Sequence, residues 1–209
     1  MKVLAISYGR HLFEVKNIER VRMEACAAET EDLHMIVFTH KADGHNDPCV
    51  AGKLTIHPTN SRNKICMLWD AYCIAAKILR KEGVWVVTTQ DPFEIGILGW
   101  VLARTHGARF NVQEHGDVFS TSYWYQESLL NKVRFYVGKW VLRHADTVRV
   151  VSYRMVHAVE SLGVSPERIL QLSVRTNTED FVSTHPEEDS GAKNDSKEVT
   201  ILSMARFVP

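Results

Sequence analysis

Residues 84–119, VWVVTTQDPFEIGILGWVLARTHGARFNVQEHGDVF, leave a chain few ways to fold. Val84 to Thr89 is an unbroken apolar and β-branched run, the pattern of a strand buried on both faces of a parallel sheet. Gln90-Asp91-Pro92 breaks it, because proline has no N–H for a ladder yet suits the first turn of a helix. From Phe93 to His106, the residues Ile95, Leu98, Val101 and Leu102 fall on one helical face, and Gly107 supplies the stop. Phe110 to Val112 opens the next strand. This is a βαβ unit, whose crossover is almost always right-handed. Ligands of such sheets sit beyond the carboxyl ends of the strands. Gln90-Asp91 and Glu114-His115-Gly116-Asp117 both fall there, so two polar clusters share one rim.

The flanking sequence repeats the alternation. Strands are expected at Lys2–Ser7, Leu33–Thr39, Leu54–His57, Thr147–Val151 and Ile169–Val174. Helices are expected at Asn17–Glu29, with Ile18, Val21, Ala25 and Ala28 inward, and at Ile65–Lys81. The inner face of the second is drawn from Ile65, Leu68, Trp69, Tyr72, Ala76 and Leu79, its two aromatics serving as core. A single long helix is expected over Tyr123–Arg143, and another over Tyr153–Leu162, capped by Ser152 and ended by Gly163. Lys41 to Pro48 is a polar loop. The whole implies an α/β fold, a Rossmann-like doubly wound parallel sheet. Residues 1–182 make this domain. Residues 183–198, STHPEEDSGAKNDSKE, read as a linker or exposed loop, and 199–209 as the first strand of a second, truncated domain.

Composition narrows the function classes. Lys+Arg and Asp+Glu both number 25, so no overall charge draws the chain to nucleic acid. No apolar run approaches the length of a membrane span. The apolar run MKVLAIS stops at Tyr8-Gly9-Arg10, too soon for a signal peptide. Cys26, Cys49, Cys66 and Cys73 lack C-x-x-C spacing; Cys66 and Cys73 share one helical face, as small buried hydrophobes do. A reducing, cytoplasmic setting follows. No metal-ligand spacing stands out, and the G-x-G-x-x-G and Walker fingerprints are absent.

Several stretches, in this order, resemble family 4 glycosyltransferases, which have the two-Rossmann-domain GT-B fold. Phe110-Asn111-Val112-Gln113-Glu114-His115-Gly116 looks like that family's strand ending in histidine and a small residue. Ala145 to Ser152 (ADTVRVVS) looks like its A-D-x-hydrophobic-x-x-x-S strand and cap, and Gly163 to Ile169 (GVSPERI) is similar to its G-V-x-x-x-K/R-I turn. Val174 to Phe181 stands where the family has N-G-V-D-x-x-x-F, and Ile201 to Pro209 resembles the opening strand of its donor domain. The departures are Arg175 at the usual glycine, Asn177 at the usual aspartate, Ala205 before Arg206, and a single Gly9 after the first strand. The chain ends before the family's diphosphate-binding lysine and its E-x(7)-E segment.

The resemblance implies metal-free, retaining transfer of a hexose from a nucleotide-diphosphate sugar to an acceptor hydroxyl, with no further cofactor. Negative charge grows on the departing diphosphate, and fixed donors there stabilise the transition state. Arg206 matches the family arginine in that role, its planar fork suiting phosphate oxygens. By the same match Gly9 brings backbone toward the donor, His115 is the catalytic-site histidine beside donor sugar and acceptor, and Glu114 and Asp117 orient the acceptor. Without it, Gln90 and Asp91 read first as a helix cap. As a 209-residue chain lacking the donor half, the protein is expected to be an inactive fragment. The alternatives are a non-catalytic α/β module binding a carbohydrate, lipid head group or partner chain, and an unrelated flavodoxin- or Rossmann-like nucleotide binder.

Residues 123–143, YWYQESLLNKVRFYVGKWVLR, carry a second question. Leu129, Val133, Tyr136, Val137, Trp140 and Val141 form a stripe expected to pack on the sheet, beside Lys132, Lys139 and Arg143. A core helix with a solvated basic face is the favoured expectation. The other is peripheral contact with an anionic membrane carrying a lipid-linked acceptor.

Overall fold

A computed structural model of the chain describes residues 1–81, 83, 85–120 and 123–173. The expectations for 183–198 and 199–209, Arg206 included, lie outside the described residues, which all belong to the unit Met1–Val174. In chain order the unit runs β1 (Lys2–Ser7), α1 (Ile18–Ala28), β2 (Asp32–Val37), β3 (Cys49–Ala51), β4 (Leu54–Pro58), α2 (Lys64–Leu79), β5 (Trp85–Thr89) and α3 (Glu94–His106). It continues with β6 (Arg109–Glu114), α4 (Tyr123–Gln126), α5 (Leu129–His144), β7 (Thr147–Val150), α6 (Tyr153–Ser161) and β8 (Ile169–Gln171).

The strands form one eight-stranded sheet ordered β3-β4-β2-β1-β5-β6-β7-β8, every neighbouring pair parallel except β3 with β4. Successive residues of β1 and β2 alternate between two cores, as a pleat of period two requires. Leu4, Ile6 and Ile36 join residues of α2, α3, α5 and α6 on one face. Val3, Ala5, Leu33, Met35 and Val37 join Ala27 of α1 and Leu12 on the other. Helices therefore lie on both faces, as expected, but four of the longer ones crowd one side. The chain also makes a β3–β4 hairpin, turned by Gly52 at φ 58°, which the sequence pattern did not announce.

Three expected helices depart from their sequence reading. In α1, Ile18 and Val21 are exposed and so are Ala25 and Ala28; the buried residues are Arg20 and Ala27. Arg20 can be buried because its donors are occupied: Nε bonds Glu24 (2.6 Å), and Nη1 bonds the Leu12 carbonyl (3.0 Å) and approaches Cys49 Sγ (3.5 Å). In α2 the inner face is Met67, Ala71, Ala75, Ala76, Ile78 and Leu79, whose small members let the helix approach the sheet closely. Ile65 and Trp69 point outward instead, Trp69 stacking on half-buried Tyr72 (5.9 Å), and Cys73 is exposed rather than buried. The expected helix 123–143 is two helices, because Ser128 takes an extended conformation and accepts the Asn131 N–H to cap α5. In α5, Val141 and Leu142 are buried, whereas Leu129, Val133, Tyr136 and Trp140 face solvent. By contrast, Ser152 caps α6 as read, accepting the Met155 N–H.

Candidate functional site

Leaving aside the hairpin strand, the order runs outward in both directions from β1 and β5, so the direction of winding reverses between them. That reversal opens a crevice at the carboxyl ends, the usual ligand position of such sheets. Ser7 ends β1 there, buried; its Oγ donates to Gln90 Oε1 (2.7 Å) and accepts the Gly9 N–H (2.9 Å). Gly9 sits at φ −72°, which any residue adopts, so its smallness serves space rather than conformation. A Cβ there would press on the His11 ring at 3.1 Å.

Two carboxylates converge beside this crevice. Asp91 follows β5, and its Oδ1 accepts the Phe93 N–H (2.8 Å), a local turn before α3. Glu114 ends β6 with 3% of its surface exposed, and its Oε1 accepts the N–H groups of Gly116 (3.0 Å) and Val118 (3.4 Å). Burial pushes the Glu114 carboxyl up to about 7; the backbone donors oppose this, and repulsion from Asp91 adds to it. Burial likewise raises Asp91 to about 6, against the Phe93 N–H. Both therefore titrate closer to neutrality than a solvated carboxylate does. Tyr8 overhangs the same place, its hydroxyl held protonated first by burial and then by Asp91 and Glu94.

His115 is exposed at the rim. Its Nε2 lies 2.9 Å from Gln113 Oε1, which also accepts from Arg149 Nη1 (2.8 Å). Gln113 Nε2 in turn donates to Thr88 Oγ1 (3.1 Å). An amide oxygen only accepts, so this network assigns the proton of the neutral imidazole to Nε2 and leaves Nδ1 free to accept. Desolvation of the ring nitrogens, then the charge of Arg149, lowers the pKa of His115. A neutral imidazole at neutral pH follows. Asp117 is held in the left-handed region (φ 52°), paired to Arg154 (3.0 Å), with Oδ1 buried and unpartnered among the described residues. Such backbone strain concentrates at functional loops.

Gly9, Glu114, His115 and Asp117 thus all stand on one edge, while Arg206 lies outside the described residues. Asp91 is the group that sequence reading undervalued. Its capping role is real, but its coupling to Glu114 depends on β5 and β6 being neighbours. A different feature occupies the far end of the edge: a cavity of about 380 Å³ over the ends of β2 and β4, four strands from β6.

The family profile of the "Glycosyl transferase 4-like domain" matches residues 19–174. The chain belongs to that family. Comparison with curated proteins gave no match. Among solved structures, UDP-GlcNAc 2-epimerase from Methanocaldococcus jannaschii is similar at 14% identity and a TM-score of 0.53, over 82% of this chain and 45% of that one. HepE of Anabaena, solved in complex with UDP and glucose, is similar at 10% identity and 0.54, over 86% and 46%. UDP-N-acetylglucosamine 2-epimerase from Rickettsia bellii gives 10% and 0.53, over 82% and 44%. These likenesses show the GT-B Rossmann-like fold. This chain spans less than half the length of each of them.

Proposed function

We propose that this unit is the acceptor-side half of a retaining glycosyltransferase that moves a hexose from a nucleotide-diphosphate sugar to an acceptor hydroxyl. One observation carries the reading: in a glycosyl transferase 4-like chain, Gly9, Asp91, Glu114 and His115 line a single edge around the crevice. The fold is shared by epimerases and by a protein solved with UDP and glucose, so it does not choose between the two chemistries; the family match favours transfer.

In this reading Nδ1 of neutral His115 accepts a hydrogen bond from a sugar hydroxyl at the reacting centre, its orientation set by Gln113 and Arg149. Glu114 acts less on the acceptor than on the loop: it holds Gly116 and Val118, and so sets where His115 and Asp117 stand. Asp117 presents a carboxylate to the acceptor. Gly9 admits the donor, and Arg206 steadies the leaving diphosphate. No metal or further cofactor enters this scheme. In this reading donor contacts come from a second half, which completes the cleft. The test is hexose transfer by the whole enzyme, these residues joined to a donor-binding half. His115→Ala should lower kcat on the order of 10²–10³-fold with an unchanged melting temperature. Unaltered kcat removes His115 from the site, and no transfer from any nucleotide hexose leaves the binding-module alternative.

The outward face of α5 favours a membrane-borne acceptor. Leu129, Val133, Tyr136 and Trp140 recur at helical spacing and are 79%, 59%, 61% and 40% exposed. Along α5 the cations Lys132, Lys139 and Arg143 accompany these residues, while Arg134 is tied to Glu94 of α3 (2.6 Å). An apolar stripe beside cations suits an anionic bilayer. Among the described residues no helix is long and apolar enough to cross a membrane, so the contact is peripheral. Sedimentation with phosphatidylglycerol vesicles, lost on Val133→Asp and absent with phosphatidylcholine alone, is the expected result. Equal recovery with neutral vesicles or none sinks it.

A further inference from the structure

At the opposite end of the sheet edge, the cavity of about 380 Å³ is built by two loops and one helical face. Asp70, Cys66 and Cys73 come from α2 at spacings of three and four, so they share a side of the helix. Asn60 and Arg62 come from the β4–α2 loop, and Lys41 from the turn after β2. The loops are locked together: the Lys41 N–H donates to the Ser61 carbonyl (3.0 Å), and Thr59 Oγ1 bridges the Thr39 N–H (3.0 Å) and carbonyl (3.1 Å).

The charges inside are unbalanced. Among the described residues, neither the Lys41 ammonium nor the Arg62 guanidinium has an ion-pair or hydrogen-bond partner, while Asp70 is engaged by Ser61 Oγ (2.5 Å). Asn60 is held at φ 48°, and its Nδ2 reaches Asn46 (3.2 Å). Its Oδ1 is buried with no partner among the described residues. The cavity wall therefore offers two free cations for an anion and one carboxylate, Asp70, whose remaining lone pairs can accept a hydroxyl group. A hydrophobic ligand would waste both, and a bare inorganic anion would meet the Asp70 carboxylate with no hydroxyl to donate to it.

We infer that this cavity is a subsite for an anionic carbohydrate, a sugar carrying phosphate or carboxylate. Arg62 and Lys41 take the acid group, and Asp70 takes a ring hydroxyl. It stands four strand spacings from β6, roughly 20 Å, so it reads a remote part of the acceptor rather than the hydroxyl that reacts. Its role as an acceptor subsite rests on the transferase reading; its binding of the sugar does not.

The two cavity cysteines supply the test, with exposed Cys26 on α1 as the internal control. The 209-residue chain is alkylated with iodoacetamide while glucose 6-phosphate, glucuronate, glucose or inorganic phosphate is titrated, and each thiol is followed by peptide mass spectrometry. At about ten times Kd, an anionic sugar should slow labelling of Cys73 roughly tenfold and leave Cys26 unchanged. Protection by glucose 6-phosphate alone or glucuronate alone identifies which acid group the subsite takes. Arg62→Ala with Lys41→Ala, both exposed positions, should abolish protection without changing the melting temperature. Equal protection by inorganic phosphate means an adventitious ion only and overturns the proposal, as does equal protection by glucose or none by any sugar. The readout needs neither donor nor turnover. Lost protection thus leaves the transferase reading standing, and protection without hexose transfer by the whole enzyme does the reverse.

Discussion

Helices α3 and α5 lie side by side on one face of the sheet, yet they use their apolar residues in opposite ways. In α3 the apolar stripe turns inward: Ile95, Leu98 and Leu102 are buried, and Val101 is half-buried. Gly99 lies so close to the sheet that a Cβ would fall 2.5 Å from Thr89 Cγ2 and 2.7 Å from Phe110 Cε2. In α5 the longest apolar stripe turns outward, and contact with the layer beneath rests on Gly138, Val141 and Leu142. Apolar spacing identifies a helix in both cases. Which face is inward is set by where small residues permit close approach.

The substitution that strikes hardest at this contrast is Gly99→Ala. Two rigid neighbours meet the new methyl, and overpacking should exceed the gain in helix propensity, for a net loss of about 3 kcal/mol in a denaturant titration. A loss below about 0.5 kcal/mol would show that α3 is not seated as described.

Glu114, under the loop between the two helices, is next. Its carboxyl titrates at about 4.5 when unfolded and about 7 when folded, so the native state holds the proton more tightly. Stability from this group is complete below pH 4.5, declines as pH rises to about 7, and is lost above that. Glu114→Gln should therefore stabilise the chain by about 2 kcal/mol at pH 8 and have no effect near pH 4. A constant difference across that range would refute the raised value.

Gly138→Ala probes a place where α5, too, is tightly seated. A Cβ would lie 2.7 Å from the Phe119 ring and 3.1 Å from that of Phe93. Phe119 lies on a half-buried loop and can yield, so the cost should be about 1 kcal/mol. Smallest of all, Val133→Ser on the exposed stripe should change stability by less than about 0.5 kcal/mol while weakening vesicle binding. A loss of several kcal/mol would mean that the stripe is buried in the working molecule, and the contrast with α3 would dissolve.

Much of this site was legible because local rules suffice there. The β5–α3–β6 unit follows from a β-branched run, a proline break and Gly107, whose φ of 66° bears out its role as a stop. His115 could be placed on the rim from its position just past a strand. The partners that determine its behaviour could not be seen, since Gln113, Thr88 and Arg149 come from three different strands. Asp91 read as a cap because that role is local; its repulsion of Glu114 is not. The inward faces of α1 and α2 were misread for the same reason. Hydrophobicity favoured Ile18 and Trp69, whereas packing chose Arg20, with its donors satisfied by Glu24 and Leu12, and the small residues Ala71 and Ala75.

The amino-acid sequence alone determined the alternation of strands and helices, the caps at Ser152 and Gly107, and the family resemblance that runs through Glu114-His115-Gly116 and Ala145 to Ser152. Those features depend on neighbours within a few residues of one another. Only the tertiary structure decided which face of each helix is wet, that two carboxylates meet at neutral-range pKa values, and that Lys41 and Arg62 share a cavity with Asn60 and Asp70. Burial and charge are properties of a place, and the strand order of the sheet makes the place.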